Sequence, residues 1–252
     1  NQMNSLNGEL DAYRNTTITH QFGETTEVLS GDTICSWLTV EGTEVKLSEE
    51  PVKEYISQLA AKYNTIYRDR NFKTSTGETV KLEHNEYGYQ IDQEAELQQL
   101  LTELNSGKEI AREPVYKKKG FKRNGTDDLM GTYVEVSIEK QHLWLYKDGK
   151  LVTETDVVTG IPKEGTATYK GAWPIAYKAS PYTLSSDFYG YEVPVNYWMP
   201  FVYGQGLHDL ERSAYGGDIY KTNGSHGCVN LPVDQAKIIY ETVSKGYPII
   251  LY

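Results

Sequence analysis

Tyr133-Val134-Glu135-Val136-Ser137-Ile138 alternates with period two, and His142-Leu143-Trp144-Leu145-Tyr146 follows closely. Such alternation puts every second side chain on one face, so these segments can bury that face only as members of a sheet. Asp148-Gly149 then marks a tight hairpin before Lys150-Leu151-Val152, and Val157-Val158-Thr159-Gly160 is a further strand ending in glycine. Short strands at this spacing predict a mostly-β, sandwich-like domain. Val233 to Tyr240 reads as a short helix within it, and Pro248-Ile249-Ile250-Leu251 as a closing strand. Between them, Tyr182 to Phe201 is aromatic and punctuated by Gly190, Pro194 and Pro200. That stretch fits two readings, a flap or wall beside a cleft and a meander strand with stacked aromatics.

The preceding half has a different pattern and reads as a mixed α/β (α+β) domain. Thr33 to Val40 is apolar and β-branched, as in a strand. Ser48 opens a helix with Glu49 and Glu50 near its positive end, and Val52, Tyr55, Ile56, Leu59 and Tyr63 form its core stripe. Phe72 to Leu82 reads as a hairpin around Thr76-Gly77. A second helix follows Asp92, carries Leu97, Leu100, Leu101 and Leu104 along one face, and stops at Asn105-Ser106-Gly107. His20 and His84 are isolated, and nothing in this half combines a nucleophile, a base and an orienting group. The boundary belongs within Lys117 to Leu129, which divides the chain into an accessory domain over 1–124 and a second domain over 125–252. The basic run Lys117-Lys118-Lys119, with Lys122 and Arg123, reads as a solvated linker.

A net charge of −10 argues against a nucleic-acid partner. No apolar run approaches the roughly 20 residues of a membrane span. The chain begins Asn1-Gln2-Met3, as a fragment would, so an export or anchor segment is expected upstream and membrane attachment only through it. Two cysteines supply no disulfide framework. Both are expected as free thiols, Cys35 buried and inert in its apolar run.

Cys228 sits differently, in Ser225-His226-Gly227-Cys228-Val229-Asn230. A thiol reacts as thiolate, and a neighbouring imidazolium lowers its pKa; His226 and His208 are both candidates. Gly224 and Gly227 let the backbone pass close to a substrate, and the N–H groups of Gly227 and Cys228 are placed to face a developing oxyanion. Ser225 is available to hydrogen-bond within the loop. Asp209, next to His208, could orient the imidazole through its carboxylate or its backbone carbonyl. Asn230, Trp198 and Tyr203 are candidate substrate contacts. A lone cysteine is more often a small buried hydrophobe, and two histidines with a cysteine can bind zinc. Against zinc, there is no second cysteine pair and no close His-x-His spacing, so no metal site is assigned.

The whole string, His208, sixteen residues, then Ser-His-Gly-Cys-Val-Asn, resembles the signature of the YkuD-type L,D-transpeptidases. The resemblance covers about residues 131–252. It implies that Cys228 forms an acyl-enzyme with a peptidoglycan stem peptide, that His208 is the base, and that terminal D-Ala is released. A neighbouring stem's amine would then take the acyl group, giving a 3→3 cross-link. It further implies carbapenems as inhibitors, no cofactor, and action outside the cytoplasm at the cell wall. The first half resembles, more loosely, the peptidoglycan-binding domain that precedes some members. One departure is Thr168-Tyr169-Lys170-Gly171, where the family commonly has Thr-Pro-x-Gly. Rival readings are an L,D-carboxypeptidase with water as acceptor and a catalytically silent wall-binding module. A sortase-like enzyme is disfavoured, because neither the Thr-Leu-x-Thr-Cys strand end nor the later arginine accompanies Cys228.

Overall fold

The computed structural model describes residues 2–252, which fall into two compact units. One runs up to Ile66 and resumes over Gly88–Asp128; the other takes Tyr67–Tyr87 and Leu129–Tyr252. The compact units therefore interleave along the chain, with Tyr67–Tyr87 lying in the β-rich one. Phe72, Leu82 and Tyr87 share a buried cluster with Ala172 and Ile250, so apolar burial and not chain order decides where that segment belongs.

The first unit opens with α1 (Gln2–Arg14), then the antiparallel pair β1 (Thr17–Phe22) and β2 (Thr25–Leu29). The segment expected as one strand over Thr33 to Val40 divides. α2 (Gly31–Cys35) starts after Ser30, whose hydroxyl accepts the Thr33 N–H, and β3 (Leu38–Glu41) pairs with β4 (Glu44–Leu47). The side-chain cap outweighs the β-branched composition, and Cys35 ends a helix, half-buried, instead of lying in a core strand. α3 (Glu49–Tyr63) follows as the periodicity predicts, burying Val52, Ile56, Leu59 and Tyr63. Next come β5 (Arg70–Lys73) and β6 (Thr79–Leu82), the hairpin that belongs to the second unit, and the short β7 (Gln90–Ile91). α4 (Gln93–Glu103) is capped by the Asp92 carboxylate, which accepts the Ala95 N–H at 3.0 Å. β8 (Glu109–Arg112) joins β1 in parallel, and β9 (Tyr116–Lys118) pairs with β7.

β1 alternates half-buried and buried positions, which turns Ile18, His20 and Phe22 inward together. His20 is thus fully buried beside its register partner Arg112. Glu96 of α4 satisfies both. Its carboxylate accepts from His20 Nε2 at 2.7 Å, from Arg112 at 2.8 and 3.0 Å, and from the Val115 N–H at 2.7 Å. Burial pushes the Glu96 pKa up, but these donors prevail and hold it below the ordinary carboxylate value. A depressed folded-state pKa stabilises the fold above the unfolded value of about 4.3, and that contribution is lost as pH falls through the folded value. Glu96→Gln should therefore lower the stability of this unit by about 3 kcal/mol near neutral pH. Urea midpoints would show the deficit, and the gap to wild type should close in acid.

The basic run read as a solvated linker is buried at one point. Arg123 is 6% exposed, lies 4.4 Å from the Tyr89 ring centroid and donates to the Tyr63 carbonyl at 2.6 Å. Its flat, weakly hydrated guanidinium stacks where an ammonium would not.

In the second unit, β10 (Tyr133–Ser137), β11 (His142–Lys147) and β12 (Lys150–Asp156) form an antiparallel meander. Asp148 and Gly149, both at positive φ, make its second turn. β13 (Gly171–Pro174) is followed by the hairpin of β14 (Tyr182–Ser186) and β15 (Tyr191–Val195), then β16 (Trp198–Val202) and β17 (Gln205–Asp209). α5 (Ile219–Asn223), β18 (Val229–Leu231), α6 (Val233–Thr242) and β19 (Pro248–Leu251) complete the chain. The large sheet has the order β12-β11-β10-β19-β13, with β19 inserted parallel to β10. Every residue of β19 is buried, which is why it reads as an unbroken apolar run. A second sheet, β16-β17-β18, faces the same core: Val136, Leu145 and Ile249 from one sheet pack with Met199, Leu207 and Val229 from the other and Ile239 from α6. The second unit is thus β-rich and two-layered, as expected. Among the described residues no helix is long and apolar enough to cross a membrane.

Candidate active site

His208 lies in β17 and Cys228 immediately precedes β18. These strands run parallel, with Leu207 opposite Val229 and His208 opposite Asn230. Leu207 and Val229 enter the core, so alternation sends His208, Asn230 and Cys228 to the other face together. The long spacer between the two motifs has a cause in this pairing. A parallel partner is reached only after the chain runs back along the strand, which takes a dozen or more residues.

The imidazole is held at both nitrogens. Nδ1 donates to the Asp209 carbonyl at 2.9 Å, and Nε2 accepts from Asn230 Nδ2 at 3.2 Å. Asn230 cannot turn its amide over without loss, because its Oδ1 accepts from Arg212 at 2.9 and 3.1 Å. The proton therefore sits on Nδ1 and the lone pair on Nε2. Of the two routes by which Asp209 could orient the ring, the backbone carbonyl is the one used. Its carboxylate is occupied by the Asn196 and Tyr197 N–H groups at 2.9 and 2.7 Å.

The turn before Cys228 is closed by Ser225, whose hydroxyl donates to the Cys228 carbonyl and accepts the Gly227 N–H at 3.1 Å. The Gly227 amide, expected to face a substrate oxygen, is thus consumed inside the turn, because a serine two residues earlier offers a nearer acceptor. Gly227 has φ +132°, and a Cβ there would lie 2.2 Å from Gln205 Nε2. Gln205 in turn donates to the Ala167 carbonyl at 3.0 Å and accepts the Tyr169 N–H at 2.8 Å, while the Thr168 hydroxyl donates to the Gly227 carbonyl at 2.8 Å. The departure at Thr168-Tyr169-Lys170-Gly171 therefore has a use: proline at 169 would lack the N–H that Gln205 accepts.

Cys228, His208, Asn230 and Arg212 line a cleft of about 550 Å³. The β14–β15 hairpin forms one wall, which decides between the two readings of the aromatic stretch. Tyr189 stacks on the His226 ring at 3.9 Å and 18°, and its hydroxyl donates to the Gly165 carbonyl at 3.1 Å. Tyr203 stands on the rim, 74% exposed. Trp198 does not line this cleft. It pairs with His208 across the β16–β17 ladder, is 3% exposed, and is covered by Tyr182 stacked at 5.7 Å. Ladder pairing sets the indole beside the imidazole, 5.9 Å between ring centroids, and Trp198 lines instead a neighbouring cavity that shares Tyr203 and Gly204 with this cleft.

Residues 131–251 match the L,D-transpeptidase catalytic domain family, YkuD, and residues 17–112 match a peptidoglycan-binding domain family. An Enterococcus faecium L,D-transpeptidase, solved as a cysteine-to-serine mutant, is 35% identical over 100% of this chain and 99% of its own, with a TM-score of 0.78. This chain belongs to the L,D-transpeptidase family. A second structure, the Ldtfm–avibactam carbamoyl enzyme, is 34% identical over 99% of this chain and 98% of its own, with a TM-score of 0.79. Among curated proteins compared by sequence, none matches.

In this L,D-transpeptidase burial shifts both the thiol and the imidazole away from their charged forms, the opposite direction from the shift an imidazolium would give the thiol. Burial pushes the Cys228 thiol up to about 11, and burial also pushes His208 below the usual histidine value against the pull of the Asp209 carbonyl. Desolvation penalises both charges and so favours the neutral forms. Arg212 was missed from sequence. It lies in the spacer, four residues after His208, and nothing in a lone loop arginine announces that it grips Asn230. Gln205 and Thr168 were missed for the same reason, being ordinary polar residues whose partners are remote in the chain.

Proposed function

We propose that this L,D-transpeptidase forms 3→3 peptidoglycan cross-links through an acyl-enzyme on Cys228. The supporting observation is the shared floor on which His208 and Cys228 lie, with His208 fixed as the Nδ1–H tautomer. His208 Nε2 takes the thiol proton as sulfur attacks the carbonyl carbon of the donor's third residue, displacing the Asn230 amide from that lone pair. The carbonyl electrons move to oxygen, where the Cys228 N–H is the proposed donor. Collapse breaks the C–N bond, His208 returns its proton to the leaving amine, and D-Ala departs from a thioester. An acceptor amine then attacks the thioester, His208 takes its proton, and the sulfur leaves and is reprotonated. Because the same imidazole serves both halves, a single histidine suffices.

Ser225 and His226 shape the loop in this scheme, with Tyr189 packed on His226. Carbapenems are inhibitors by the same route, the β-lactam carbonyl acylating Cys228; a 34% identical relative exists as an avibactam carbamoyl enzyme. The peptidoglycan-binding unit supplies wall affinity, which places the activity outside the cytoplasm. Incubation with stem tetrapeptide should yield cross-linked dimer with loss of one D-Ala, read by mass spectrometry. Tripeptide alone would instead make the protein an L,D-carboxypeptidase.

A further inference from the structure

Arg212 is a half-buried cation that pairs with no carboxylate among the described residues. Its acceptors are the Asn230 Oδ1, reached from Nε and one terminal nitrogen, and the Asn223 carbonyl at 2.8 Å. All are neutral, and burial draws its pKa down against the opposing pull of the Tyr215 hydroxyl, with no carboxylate contributing. A guanidinium carries five N–H donors, so two remain after these three bonds. Buried charges are ordinarily paired, and the chain as a whole carries ten more negative than positive groups. The surroundings sharpen the contrast. The residues lining the cleft include no aspartate or glutamate, and Arg212 is the one lysine or arginine among them. An unpaired cation in an otherwise uncharged cleft is a receptor for an anion that arrives with the ligand.

Position limits which anion. Asn230, which Arg212 holds, stands two residues after Cys228 on the same face, and both residues and Arg212 line the one cleft. In a peptide whose scissile bond precedes its last residue, the terminal carboxylate carbon lies about 4 Å beyond the attacked carbonyl carbon. A donor seated on Cys228 therefore carries its terminal anion within the same cleft that Arg212 lines. We propose that Arg212 binds the free C-terminal carboxylate of the acyl donor, selecting peptides cleaved one residue from their end. This rests on the acyl-transfer reading above and adds the feature of the donor that the site measures.

The test compares a tetrapeptide donor bearing a free C-terminal carboxylate with its C-terminal carboxamide, on the full chain. Wild type should prefer the carboxylate by about tenfold or more in kcat/KM. Arg212→Gln should bring that ratio close to one, and Arg212→Lys should keep part of it. Equal kcat/KM for the two donors on wild type overturns the inference while leaving acyl transfer standing. So does an Arg212→Gln variant that slows both donors alike, since that is the signature of a residue that only holds Asn230. If neither donor acylates wild type, the acyl-transfer reading falls and takes this inference with it.

Discussion

Cys228→Ala should abolish acyl transfer, lowering turnover at least about a thousandfold, and should abolish the mass adduct that a carbapenem leaves on the wild-type protein. The fold should hardly notice. The side chain is half-buried, and its polar contact is a long one to the Gly204 carbonyl at 3.9 Å, so the stability change should stay within about 1 kcal/mol. Cys35→Ala is the matched control, because Cys35 is the other free thiol and ends a helix in the first unit. Intact-mass measurement after carbapenem treatment should find one adduct on wild type, one on Cys35→Ala and none on Cys228→Ala. An adduct that survives in Cys228→Ala removes the proposed nucleophile.

His208→Ala should be nearly as damaging, and its pH profile should say why. With a thiol pKa of about 11, only about 10⁻⁴ of the sulfur is thiolate at pH 7 without help. A base that removes the proton during attack avoids that deficit, so its loss should cost on the order of 10³-fold at neutral pH. In the variant, log(kcat/KM) should climb about one unit per pH unit toward 11, as free thiolate becomes available. Wild type should behave otherwise. Burial lowers the His208 pKa, the neutral ring is the competent form, and activity should therefore fall only as pH drops through a value below 6.5. A wild-type profile that rises continuously through neutrality would point to unaided ionisation of the thiol and against His208 as base.

Much of this was readable in the residues, and the misses share one physical origin. Helices α3 and α4 show in their periodic apolar faces and acidic caps, and the Asp148-Gly149 hairpin in its turn residues, because local chemistry decides them. That His208 and Cys228 line one cleft was readable only through the motif; no local rule says that β17 and β18 lie side by side. Where a side chain chooses among distant partners, sequence was silent. Arg212 on Asn230, Gln205 on Gly227 and Arg123 on Tyr89 are of this kind. Thr33 to Val40 went wrong by the opposite route, since one serine cap overrode a favourable strand composition. The directions of the Cys228 and His208 shifts were not legible either, because a motif does not show how far each group is withdrawn from water.

The segment Tyr67–Tyr87 bears on how such a protein can be recombined. Its chain passes from one unit to the other at residues 66–67, returns at 87–88, and crosses again at 128–129. The first unit is therefore interrupted in the chain by a segment of the second. Swapping it for another would require three joins, and a graft made at residue 125 would leave Ala172 and Ile250 stripped of Phe72, Leu82 and Tyr87. A recombinant boundary that keeps this cluster intact must carry the hairpin with the β-rich half.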